Sequence, residues 1–118
     1  MIEDRTIDAL NHFLDLAAFR SELVMSNMAN IDTPNYKTRD INFSQELARA
    51  EGNLEYASFH PVTHQAYGLI ERPDGNNVTL ERESLLLADT QMRFNAVVQL
   101  LRDRFKTLSS AIHEGSNS

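Results

Sequence analysis

A chain of 118 residues, 42% hydrophobic and 24% charged, is long enough for one small folded domain and too short for two. Its net charge of −6 carries no basic stripe: residues 1–31 hold five acids and two bases, 32–78 seven and four, and 79–118 five of each. That balance argues against nucleic acid as a partner, because phosphate neutralisation needs clustered Lys and Arg, and the absence of cysteine removes disulfides and thiolate metal sites.

The opening Met1-Ile2-Glu3-Asp4-Arg5 lacks the basic and apolar regions of a conventional signal peptide, and no apolar run reaches the roughly 20 residues a membrane span needs. On these grounds alone the chain reads as cytosolic. A first helix is predicted from about Thr6 to Ile31. Its seam, Ile7, Leu10, Leu14, Ala17, Ser21, Val24, Met28 and Ile31, alternates spacings of three and four, as in a coiled coil. Phe13, Leu16 and Leu23 widen that stripe, which calls for more than one helical neighbour and is expected to leave apolar surface open in a lone chain.

The segment Ser26-Asn27-Met28-Ala29-Asn30-Ile31-Asp32-Thr33-Pro34-Asn35-Tyr36-Lys37 ends that helix. Asn27 and Asn30 are poor helix formers that can bond freed backbone groups. Ser26 and Ala29 are small enough for another helix to approach. Thr33 is held extended by the proline after it, Pro34-Asn35 suits the centre of a type II turn, and Tyr36 is placed to pack back onto the helix end.

The middle, 32–78, is turn-rich. Asn42 is expected to cap a short helix with Gln45 at its third position, ending near Gly52. Short extended pieces are expected around Phe59 and Leu69-Ile70, and Pro73-Asp74-Gly75-Asn76 reads as a turn. His60 and His64, with Glu55 and Glu71 near, raise a metal site, but Pro61 interrupts the pair and the residues read better as loop histidines. Asp74-Gly75-Asn76 lacks the remaining ligands of a calcium loop.

A last helix is predicted from about Thr79, its N-cap, to Ile112, with Glu81 and Glu83 at its positive end. Leu80, Leu87, Phe94, Leu101 and Leu108 recur every seven residues, and apolar flanks appear only later, at Val97, Val98, Phe105, Ala111 and Ile112. The second half is therefore expected to be the better packed. Arg102, Arg104 and Lys106 read as charges favouring a helix C-terminus, and Gly115-Ser116-Asn117-Ser118 as a stop and frayed end. The expected fold is mainly α: residues 1–31 and 79–118 form two long helices pairing as an antiparallel coiled-coil-like hairpin around an irregular middle with a small helix and room for short strands. No nucleophile–base constellation or phosphate loop is visible, and no enzyme activity, small-molecule substrate, cofactor or metal is expected.

The Asn-x-x-Asn pair followed by Thr-Pro, Asn and Tyr resembles the N-terminal signature of bacterial flagellar rod, hook and hook-associated axial proteins. Lys37-Thr38-Arg39-Asp40-Ile41-Asn42-Phe43, Asp74 to Glu83, and Gln91-Met92-Arg93-Phe94-Asn95 through Phe105 resemble the proximal rod type within that family. The resemblance implies a structural subunit of the basal-body rod. Such a subunit assembles helically with itself and other axial proteins, transmits motor rotation and lines the export channel. It implies a rod–inner-membrane-ring adaptor and the type III export apparatus as further partners, a periplasmic location reached without a cleaved signal peptide, and termini that order fully on assembly. It places assembly roles on Asn27, Asn30, Thr33, Pro34 and Tyr36, and the seven-residue seam adds Leu87, Phe94, Leu101 and Leu108. The neighbouring proximal rod protein, and a soluble hairpin adaptor forming a closed dimer or four-helix bundle, are the alternatives.

Overall fold

In a computed structural model of the chain, which describes residues 2–52 and 59–116, the elements run α1 (Ile2–Ala29), β1 (Arg39–Ile41), α2 (Phe43–Glu51), β2 (Thr63–Gln65) and α3 (Leu80–Ser116). The fold is mainly helical, with two long helices, one small helix and a two-stranded sheet. The chain measures 72 × 27 × 19 Å, a rod-like shape set by helices that at 1.5 Å per residue run about 42 and 55 Å.

Helix α1 forms because 28 residues pass without Gly or Pro and carry an apolar stripe along one side. The end of α1 meets the start of α3 where Asn27 bonds Glu83 at 3.2 Å. Since α3 then runs back along α1, the two form the expected antiparallel hairpin. Leu16, Ala17 and Val24 are its most buried apolar residues. The second row on α1 finds its second neighbour inside the chain: α2 packs there, with the Phe13 and Phe43 rings edge to face at 4.9 Å.

Asn42 caps α2 as expected, accepting the Gln45 N–H at 3.2 Å, and Gly52 closes it. The strands lie elsewhere than the extended pieces expected at Phe59 and Leu69-Ile70. Arg39, Asp40 and Ile41 pair antiparallel with Gln65, His64 and Thr63. Phe59 instead lies under the Arg49 guanidinium at 5.3 Å, and Ile70 is exposed. The pairing is set by β1, held between the α1 terminus and the Asn42 cap, so its partner is whichever stretch passes alongside.

Three further expectations are corrected. The broad α1 stripe is not the one left open, because α2 and β1 cover its second row. Surplus apolar surface lies on α3, at Leu85, Met92, Leu100, Phe105 and Ile112. Nor is the second half of α3 the better packed: among the described residues of that helix the buried ones, Glu83 and Thr90, lie in its first half. With Asn27 beside Glu83, Ile2 lies level with about residue 108, so the last two turns of α3 overhang α1. Finally, Gly115 does not stop the helix, which continues to Ser116; one helical glycine costs only about 1 kcal/mol relative to Ala. Asn117 and Ser118, with Glu55 of the metal reading, lie outside the described residues.

Leu16 sits where α1 meets its neighbours, so Leu16→Ala is expected to lower unfolding free energy by about 2–4 kcal/mol in urea titrations.

Candidate functional site

The turn after α1 folds as its residues dictate. Pro34 and Asn35 occupy the centre of a turn closed by the Tyr36 N–H donating to Thr33 O at 3.3 Å, with Asn35 at φ 64°. That positive φ is what a type II turn requires at its third residue and what Asn tolerates. The turn aims the Tyr36 hydroxyl back at Asn27 Oδ1, 2.9 Å away.

Asn27 is 1% exposed and uses all four of its hydrogen-bonding positions. Its Oδ1 accepts from the Tyr36 hydroxyl and from the Arg39 N–H at 3.1 Å. Its Nδ2 donates to Arg39 O at 2.9 Å and to Glu83 Oε2 at 3.2 Å. One side chain therefore joins α1, the turn, β1 and α3. Asn30 stays local, donating to Ser26 O at 2.8 Å and accepting from the Thr33 hydroxyl at 3.0 Å.

The second half of the lock is the hairpin at 72–76. The Gly75 N–H donates to Arg72 O at 2.8 Å, and the Arg72 N–H to Asn76 O at 2.8 Å. Asn76, fully buried, donates through Nδ2 to Asn30 O at 2.8 Å and Thr33 O at 2.9 Å, and accepts the Val78 N–H. Asn77 accepts the Thr38 N–H at 2.7 Å and the Thr38 hydroxyl at 2.9 Å through Oδ1. The Asn35 N–H donates to Asp74 O at 2.9 Å. Gly75 has φ 83°, and a methyl there would strike Asn35 Oδ1 and come within 3.3 Å of Asn35 Cα; only glycine fits that approach.

Charges close the far side. Arg20 holds Asp40 in a two-bonded fork, Nε to Oδ1 at 3.1 Å and Nη2 to Oδ2 at 3.0 Å. Arg82 bridges Asp40, at 2.9 Å, and Glu83, at 2.7 Å. Burial pushes the Asp40 carboxyl up, but the bonds from Arg20, the Ile41 N–H and Arg82 outweigh it and hold Asp40 below its ordinary value of 3.8.

Of the residues singled out in the sequence, Asn27, Asn30, Thr33, Pro34 and Tyr36 come together here. Leu87, Phe94, Leu101 and Leu108 do not: they run along α3, half-buried, while Leu80 is exposed. Sequence reasoning missed Arg20, Thr38, Asp40, Asn76, Asn77, Arg82 and Glu83. A signal existed in the row Phe13, Arg20, Asn27, spaced seven apart beside the apolar seam, where polar side chains need buried partners. His64 stacks against Tyr67 and lies 3.1 Å from Gln65 O, and among the described residues no group of three acids and histidines could hold a metal ion. No described helix is long and apolar enough to cross a membrane.

Fold and lock together define a helical-hairpin protein whose polar residues are committed to holding two chain segments against one another. No family model matches the chain. It is 36% identical over 112 residues to the flagellar basal body rod protein FlgB of Cereibacter sphaeroides, covering 84% of this chain and 87% of the relative. It is 31% identical over 123 residues to FlgB of Salmonella typhimurium (87% and 89%) and 29% identical over 123 residues to FlgB of Bacillus subtilis (93% and 95%). The chain belongs to the FlgB family of flagellar basal body rod proteins.

Asn27→Ala strands the Tyr36 hydroxyl, the Arg39 amide and Glu83 at once, and is expected to destabilise the chain by about 3 kcal/mol or more in thermal melts. Because the folded Asp40 pKa lies below the unfolded value, its contribution is fully present above about pH 4–5 and lost as pH falls through the lowered folded value. Melting temperature should fall more steeply on acidification in the parent chain than in Asp40→Asn, which should begin lower and change less.

Proposed function

We propose that this chain is a proximal rod subunit that is structural and not catalytic. It assembles helically with copies of itself and other axial proteins, transmits motor rotation and lines the export channel. In this reading segments 1–31 and 79–118 act as one stiff hairpin, and 32–78 as the collar that locks it. The adaptor between rod and inner-membrane ring, and the type III export apparatus, are its further partners, and its place is the periplasmic rod, reached without a cleaved signal peptide.

The observation that carries this reading is the overhang of α3. Phe105, level with the first turn of α1, and Ile112, beyond it, lie on the side of α3 that faces α1 lower down, yet both are more than half exposed, because α1 ends between them. An apolar line that outruns its partner within the chain is a surface for a neighbour. Asn27, Asn30, Thr33, Pro34 and Tyr36 act by fixing the angle at which the hairpin meets that neighbour. Leu87, Phe94, Leu101 and Leu108 continue the same line where α1 still covers part of it.

A charge at Phe94 or Leu101 would disturb the chain's own packing as well as assembly, so the sharper test lies at the end of α1 and on the overhang beyond it. Phe105→Glu with Ile112→Glu is expected to abolish swimming in a strain lacking the native protein, while the unfolding free energy falls by only about 1 kcal/mol. Normal swimming and rod formation with that variant would contradict the proposal.

A further inference from the structure

Two outward faces remain that neither the hairpin nor the overhang explains. On α3, Leu85, Ala88, Met92, Ala96 and Leu100 recur at spacings of three and four on the side turned away from α1. Leu85 is 73% exposed, Met92 66% and Leu100 56%. Just beyond them Arg102 and Lys106, four apart and both exposed, give this end of the stripe a positive charge. The helix dipole does not account for that pair, since α3 runs on to Ser116 and the dipole acts only in the last turn. On α1, Asp8, Asp15 and Glu22 stand seven apart on the exposed side, interleaved with exposed Ala18, Met25 and Ala29.

We infer that these faces are the two halves of one contact, in which α3 of one copy of this chain lies antiparallel along the outer side of α1 of a second copy. The inference rests on the rod-subunit reading and supplies it with a partner and an orientation. A single register satisfies both faces. With Ala96 set against Ala18, Leu85 lies level with Ala29, Met92 stands beside Glu22 and Met25, Lys106 faces Asp8, and Arg102 falls between Asp8 and Asp15. Asp103, the one acid in that stretch of α3, accepts from Gln99 Nε2 at 3.2 Å and comes level with the neutral Asn11. A parallel arrangement would carry Arg102 and Lys106 away from Asp8 and Asp15. A two-fold contact of α1 with α1 would bring the acidic row against itself.

Since α3 runs antiparallel to its own α1 and to the neighbour's, the two copies point the same way. The faces differ, so each added copy leaves a free half for the next, and the contact extends instead of closing a pair.

The test uses the absence of cysteine from the chain. Full-length Ala18→Cys and Ala96→Cys variants, mixed and mildly oxidised, should give a disulfide-linked heterodimer that neither variant forms alone, and the double variant should give a ladder of longer species. Arg102→Glu with Lys106→Glu in the Ala96→Cys chain should lower the heterodimer yield about tenfold. Asp8→Lys with Asp15→Lys in the partner chain should restore it. Failure of the mixed link, linkage within either variant alone, indifference to charge reversal, or linkage only to a different rod protein would each overturn the inference. The rod reading is scored separately. A chain that restores swimming without forming this link overturns the contact alone, whereas a strain that swims and builds rods without the chain overturns the rod reading.

Discussion

The four hydrogen bonds of Asn27 are the constraint on which the rest of this structure depends. A buried amide with every position filled fixes the exit from α1, the tilt of the turn, the position of β1 and the place where α3 begins. Each of those partners would lose more by being stranded than any one of the bonds contributes in water. This gives the junction its specificity: an apolar contact could slide by one helical turn, whereas Asn27 cannot bond Glu83 and Arg39 in a second register.

The surrounding groups extend the same logic from bonds to shape. Asn76 and Asn77 hold the 72–76 hairpin against the turn, and Gly75 permits the approach that brings Asp74 O to the Asn35 amide. Arg20, Asp40, Arg82 and Glu83 carry the lock across α1, β1 and α3 with their charges paired. Pairs of this kind add modest net stability, but removing one member is costly. The apolar surface is divided accordingly. α1 spends its broad stripe inside the chain, on α3 and α2, and α3 keeps apolar surface for use outside it.

Much of the architecture was legible in the sequence because it follows from local rules. The seven-residue recurrences from Leu87 to Leu108 and along α1 dictate long helices. Asn42 and Gly52 mark the small one, and Pro34-Asn35-Tyr36 announces both the turn and the direction of the tyrosine. What was not legible depends on partners distant in sequence. Glu83 looked like an acid placed for the helix dipole, and only the fold brings Asn27 to it. Asp74-Gly75-Asn76 read as a turn, which it is, yet nothing local says that Asn76 is fully buried and bonded across 46 residues. Short strands were expected in the middle, but not at 39–41 and 63–65, because three-residue pairings follow from what passes alongside. The packing of α3 was misjudged because its last apolar residues, Ala111 and Ile112, lie beyond the level at which α1 ends.

Hydrogen exchange tests most directly whether the polar lock, and not the length of the helices, holds the hairpin. The amides of Thr38, Arg39 and Val78, each donating to an asparagine side chain, should exchange only through global unfolding in the isolated chain. The amides of the last two turns of α3 should exchange far faster. If Thr38, Arg39 and Val78 exchanged as readily as the overhang while mid-α1 amides stayed protected, the lock would be a consequence of the hairpin and not its cause.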